Sequence, residues 1–197
     1  MSKESMTASE LMAELANDPE YQRKMREKEE LRRQKKEALL EDQKELIAAC
    51  NAAGVQMQSV WDLVNTSEPY PNAIPILVKH LEEKHQPRTT EGIVRALTTP
   101  GARGIAFVAL VRLFQRTNDA SSELKWLIGA AIAESAMATD TETVIELGND
   151  QAHGRGRDFL PLALVVSTKE SVLSTLERWA LESDMAKNAK KAIKLLR

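Results

Sequence analysis

Four short strings in the second half of the chain are spaced copies of one pattern: IVRAL at 93–97, IGAAI at 128–132, LPLAL at 160–164 and AKKAI at 189–193. Each sets a small alanine directly before a large aliphatic residue. Counted between those alanines (Ala96, Ala131, Ala163 and Ala192), the copies lie 35, 32 and 29 residues apart. Such a period, broken at regular joints, predicts tandem helix pairs. The reason is that one helix pair cannot cover its own apolar face and must stack on the next. Breakers fall where joints are needed: Pro87, Pro100 with Gly101, Asn118 with Asp119, Asp140, Asn149 with Asp150, Gly154 and Ser183. The expected pairs are 72–84 with 89–97, 102–115 with 122–138, 141–148 with 155–166, and 169–181 with 184–196. Ser167 and Glu170 read as a capping box opening the last pair.

The N-terminal part has a different character. Thr7 and Glu10 read as a capping box for a short helix through about residue 16. Asp18 as N-cap and Pro19 at the first helical position then start another helix. No Gly or Pro interrupts the chain from Glu20 to Gly54, so a single helix over 18–53 is expected, about 50 Å long. Met25 and Leu31 are the only apolar residues between 22 and 37, and nine basic residues balance nine acidic ones over 18–47. Pairs one turn apart, Glu20 with Lys24, Arg26 with Glu30 and Glu29 with Arg33, support an exposed helix by about 0.2–0.5 kcal/mol each. Further on, Leu39, Leu40, Leu46, Ile47, Cys50 and Ala53 form an apolar stripe that predicts packing of the second half. Dimerisation through this helix is an option, with few seam positions to support it. Gly54 reads as its C-cap residue. Ser59 caps a short helix over 60–64, with Trp61 packed among aliphatic neighbours. The chain thus divides into a tail over 1–17, a partly projecting helix over 18–53 and the repeats over 54–197.

Composition narrows the chemistry. The 197 residues carry a formal charge of −2 and only 4% aromatics, which disfavours a basic nucleic-acid binder or a base-stacking surface. Cys50 is the only cysteine, so no internal disulfide forms, and a buried inert thiol is expected. The longest apolar run, over 104–111, falls far short of the ~20 residues that span a bilayer. Around Lys3, Glu4, Glu10 and Glu14 there is no apolar stretch of signal-peptide length. A soluble cytoplasmic protein without a cofactor is expected. Cysteine and histidine lack zinc spacing. His80 and His85 show no evident carboxylate partner. With no triad, metal set or carboxylate pair in view, no catalytic residue is assigned and a non-enzymatic role follows.

Several stretches resemble HEAT repeats: AIPILVKHL at 73–81, and VIELGNDQAHGRGR at 144–157 followed by DFLPLAL at 158–164. The stretch over 144–164 is similar to the joint of bacterial HEAT-like repeats, where a basic residue opens the second helix. With VWDLVN at 60–65 and EGIVRAL at 91–97, the region from Val55 onward is similar to small bacterial HEAT-repeat proteins of undefined role. That resemblance implies an all-α, HEAT-like α-solenoid of about four helix pairs after a charged helix, its second helices lining a concave binding face. It implies a scaffold and names no partner.

On such a face, the aligned column holding Glu91, Asp158 and Lys187 holds Trp126 in the remaining repeat. A column that tolerates charge reads as solvent-facing, which makes Trp126, flanked by Lys125, a candidate contact residue. The next column holds Thr90, Lys125, Arg157 and Ala186. With Arg88 and Arg155 it forms a broken basic ladder. Either it meets acidic or phosphate groups of a partner, or it bonds carbonyls and acids of the adjacent repeat. The glycine- and arginine-rich stretch from His153 to Arg157 likewise is either an anion cradle or a repeat joint. Net charge runs from +2 over 54–116 to −6 over 117–150 and +4 over 151–197. An acidic middle beside a basic end suits a protein partner of mixed charge and repels a duplex laid along the face. The expected function is therefore protein binding. One version is an inhibitor or immunity-type protein. The alternative is a nucleic-acid binder resembling, at fold level, DNA-repair enzymes built on HEAT-like repeats.

Overall fold

A computed structural model describes Thr7, Met12 and residues 15–196 of the chain. The expected capping box at 7–10 and most of the short N-terminal helix lie outside the described residues. The chain divides into two compact units, Met1–Glu41 and Asp42–Arg197. Every regular element among the described residues is helical, so the all-α expectation holds. No described helix is long and apolar enough to cross a membrane.

Helix α1 (Pro19–Asp42), which belongs to the first unit up to Glu41, has no buried residue. Its start follows the sequence: Asp18 Oδ1 accepts from the amides of Glu20 at 2.8 Å and Tyr21 at 3.3 Å. Glu20 pairs with Lys24 as expected, at 2.7 Å. Arg33, however, turns to Glu30 at 2.9 Å and to Glu37 at 3.8 Å. Met25 and Leu31 are exposed.

The second unit begins where the expected single helix breaks. Helix α2 covers Lys44–Ala52 and is separated from α1 by Gln43 alone. Gln43 is fully buried. Its Oε1 accepts from Ser59 Oγ at 3.0 Å and the Val60 amide at 2.9 Å. Only from this point do the stripe residues enter the core: Leu46 and Cys50 are buried, whereas Leu40 is exposed. Burial pushes the Cys50 thiol up to about 11. Gly54, at φ +84°, ends α2. The Val55 amide donates to the Cys50 carbonyl and the Gly54 amide to Asn51, the bond pair of a Schellman cap. Helix α3 (Val60–Asn65) opens on a capping box of Ser59 and Asp62.

Four helix pairs follow: α4 (Ile74–Leu81) with α5 (Pro87–Leu97), α6 (Phe107–Arg116) with α7 (Glu123–Ser135), α8 (Thr141–Asn149) with α9 (Leu160–Ala163), and α10 (Lys169–Trp179) with α11 (Ala186–Leu195). Members of each pair pack on one another, and α3, α5, α7, α9 and α11 pack in chain order, each on the next. On the other side α2 meets α4 and α4 meets α6. The aligned strings lie at the contact. Ile93, Ile128, Leu160 and Ala189 are buried, as are all four anchor alanines and Leu97, Ile132 and Leu164. Ile193, in the last helix, is only partly covered.

Two expectations fail here. The helix expected over 155–166 is a 3-10 segment (Gln151–Arg157), one turn of α-helix and a further 3-10 turn (Leu164–Val166). Gly154, at φ +50°, interrupts the 3-10 segment itself, and Pro161 stands in the first turn of α9, where it brings no amide proton. Helix α10 starts at Lys169 without a side-chain cap, because Thr168 Oγ1 turns to Ser171 Oγ at 3.0 Å and Ser167 to Thr141 Oγ1 at 2.6 Å.

Helix α7 and the 3-10 segment leading into α9 approach closely enough to exclude a methyl group. A Cβ on Gly129 would stand 2.1 Å from the Gly156 carbonyl oxygen, whereas one on Gly101 would meet nothing within 4 Å. Backbone cannot rotate away as a side chain does. Gly129→Ala should therefore lose about 2 kcal/mol in urea unfolding despite alanine's better helix propensity. Gly101→Ala should stay within about 0.5 kcal/mol of wild type.

Candidate functional site

The openings of the second helices bring most of the expected site residues onto one row. On α5, Glu91 accepts from Arg88 Nη1 and from Arg95 Nε, both at 2.9 Å. The Arg88 guanidinium lies 3.6 Å over the Trp61 ring, an attraction between cation and π face. Arg95 reaches on to Glu123 of α7 at 3.6 Å. Opposite charges thus alternate from Trp61 to the start of α7.

The row continues through Trp126. Its ring is half-buried and meets Phe159 edge to face at 4.9 Å between centroids. Its Nε1 donates to Asp158 Oδ2 at 3.0 Å. Asn188 Nδ2 donates to Asp158 Oδ1 at 3.0 Å and to its carbonyl at 2.9 Å. Trp126, Asp158 and Asn188 therefore tie α7, the segment before α9 and α11 into one polar chain. Three members of the expected solvent-facing column, Glu91, Trp126 and Asp158, have partners within the fold. The fourth, Lys187, is exposed.

The basic ladder separates by direction. Lys125, expected to flank an exposed tryptophan, is buried. Its Nζ donates to the Thr117 carbonyl at 2.6 Å and sits 4.9 Å above the Phe114 ring. Burial holds its ammonium below the usual lysine range, against the pull of Asp150 and Asp119. Arg157 is buried as well. It donates to the Gly148 carbonyl at 2.9 Å, Glu182 at 2.8 Å and Asp184 at 2.6 Å. These two cations are therefore not surface contacts, because the adjacent turns supply carbonyls and carboxylates that take them inward. Arg155 is exposed. His153 stacks edge-on against Phe114 at 4.7 Å, and burial, with Lys125 nearby, holds its imidazole below the usual range. With Arg157 occupied by two acids, the stretch from His153 to Arg157 is joined to the next helix pair.

A groove of about 300 Å³ lies open between α5 and α7. Pro87, Leu124 and Leu127 give it an apolar floor, and Arg88, Glu91 and Glu123 rim it. Sequence reasoning did not single out Leu124 or Glu123. Their signal is weak, a charged and an aliphatic residue in the first turn of a helix.

A separate group was also missed. His80 and His85 do have carboxylate neighbours: Glu83 Oε2 lies 2.9 Å from His80 Nδ1, and Asp42 Oδ2 lies 3.5 Å from His85 Nδ1. The His80, Glu83, His85 spacing was legible; Asp42, 43 residues before His85, was not.

The opposite directions of Arg157 and Arg155 are measurable. Arg157→Ala should cost about 3 kcal/mol in urea unfolding, the low end for a broken buried ion pair, because Glu182 and Asp184 keep about a quarter of their side-chain surface in water. Arg155→Ala should shift stability by no more than about 0.5 kcal/mol. Compared with family models, curated proteins and solved structures, the chain matches none of them.

Proposed function

We propose that residues 54–197 form a HEAT-like α-solenoid that works as a non-enzymatic protein-binding scaffold, with the groove between α5 and α7 as its contact site. Support for the architecture is the chain-order packing of α3, α5, α7, α9 and α11 and the burial of the aligned alanine and aliphatic columns. Those features match what tandem repeats need to share one seam.

The observation that carries the binding reading is the composition of the groove. Leu124 is only partly covered, and cations and anions alternate around it. A volume of about 300 Å³ is at the small end of ligand sites. It suits one or two apolar side chains of a protein segment flanked by charges of both signs. Interface energy typically concentrates in such a covered apolar centre with a polar rim. Duplex binding draws less support, since Lys125 and Arg157 meet internal partners and the segment 117–150 is acidic.

The test is affinity capture from native extract with the full chain, followed by titration of the purified captured protein. Leu124→Glu places a charge on the groove floor and should weaken binding at least tenfold while the helical circular dichroism is retained. Equal binding by wild type and Leu124→Glu would refute this site. Failure to capture any protein, together with turnover of a substrate, would overturn the scaffold reading itself.

A further inference from the structure

Away from the second-helix row, the turn between α4 and α5 gathers three metal-ligating side chains. His80 and His85 are almost fully covered, with 5% and 7% of their side-chain surface exposed. His80 Nδ1 lies 3.0 Å from His85 Nε2 and 2.9 Å from Glu83 Oε2. The third edge, His85 Nε2 to Glu83 Oε2, is 3.9 Å. Bonds of about 2.0–2.2 Å in a tetrahedral zinc site hold neighbouring ligand atoms about 3.3 Å apart. The three observed edges bracket that spacing.

Protons satisfy this cluster poorly. A neutral imidazole carries one N–H. If that of His85 sits on Nε2, its buried Nδ1 turns a lone pair toward the Asp42 carboxylate, 3.5 Å away. If it sits on Nδ1, Nε2 has only the proton of His80 Nδ1 to receive, and Glu83 competes for the same proton. His85 Nδ1 makes no hydrogen bond as it stands. One cation at the centre resolves the conflict. It takes a lone pair from each of the three ligand atoms and leaves His85 Nδ1–H to face Asp42. A carboxylate behind a ligating histidine is the usual outer arrangement of such sites.

Neighbouring residues set the cluster up. Glu82 is drawn off by Arg112 at 2.6 Å, and Arg116 donates to the Leu81 carbonyl; both fix the end of α4. Asp42 also accepts from the Gln86 amide at 3.1 Å and 3.2 Å, which holds it beside His85. Glu83 keeps 37% of its side chain exposed, so the outer side of the triangle opens to water. Two nitrogens and one carboxylate oxygen select zinc-like transition ions over calcium or magnesium, which prefer all-oxygen cages.

We propose that His80, Glu83 and His85 bind one zinc-class divalent cation, with Asp42 orienting His85 and water completing the coordination. The ion joins the end of α4 to the turn that leads into α5.

The test uses the full chain without an affinity tag, stripped with a chelator. Zinc chloride is titrated by calorimetry and cobalt chloride is followed by visible absorption. One equivalent should bind saturably. His85→Ala and Glu83→Gln should each weaken binding on the order of 100-fold or more, and Asp42→Asn about 10–100-fold. His153→Ala, which removes the remaining histidine, should leave binding unchanged. Glu83→Gln preserves size at a partly exposed position, so loss of fold does not confuse its result. Absence of saturable uptake of both metals would overturn the proposal. So would uptake that survives both Glu83→Gln and His85→Ala, or that depends on His153.

Discussion

Close contact between successive second helices is the constraint on which the rest of the second unit depends. It is set by what those helices lack. The anchor alanines at 96, 131, 163 and 192 are all buried, with larger aliphatic residues beside them in the seam. Gly129 lets α7 meet the Gly156 carbonyl directly. Between the first helices α8 and α10, Gly148 likewise makes room for the Trp179 ring, which is fully buried against it. Interiors at crystal-like density accept neither voids nor extra methyl groups. The small residues therefore fix the separation of the helices, and the large ones fill the space left between them.

That spacing explains why charge near the row faces inward. Once adjacent turns are this close, a long basic side chain at a helix opening reaches carbonyls and carboxylates of its neighbours. Lys125 meets the Thr117 carbonyl, and Arg157 meets Gly148, Glu182 and Asp184. Buried cations are tolerated only with such company. The Trp126, Asp158 and Asn188 chain plays the same part on the outer side of the row. The groove at Leu124 and Leu127 is different in kind. There the apolar surface is left partly uncovered while opposite charges at its rim satisfy one another.

Local features of the chain carried much of this. The joints were legible because Gly, Pro and Asp act within a few residues, and Gly54 and Ser59 cap as their neighbours imply. The register of the second helices was legible because an alanine before an aliphatic residue recurs. The break at Gln43 was not, because it needs Ser59, Val60 and Thr89, which lie 16, 17 and 46 residues away. Nor was the direction of Lys125 or Arg157, since a charged residue at a helix start reads the same whether its partner is water or a distant acid. The segment 155–166 kept its aliphatic pattern, but only one α-helical turn forms in it, flanked by 3-10 turns. Of the candidate sites, His80, Glu83 and His85 were close enough in sequence to be seen; the pairing of Trp126 with Asp158 depends on tertiary approach.

A seam shared along the row makes each second helix a wall for its neighbours, so damage to one should spread. Hydrogen exchange on Ala131→Leu tests this directly, since the added bulk enters α7 at its buried face. A shared seam predicts faster exchange in α5 and in the segment around α9 as well as in α7. Exchange that changes in α7 alone, with its neighbours as protected as in wild type, would contradict it.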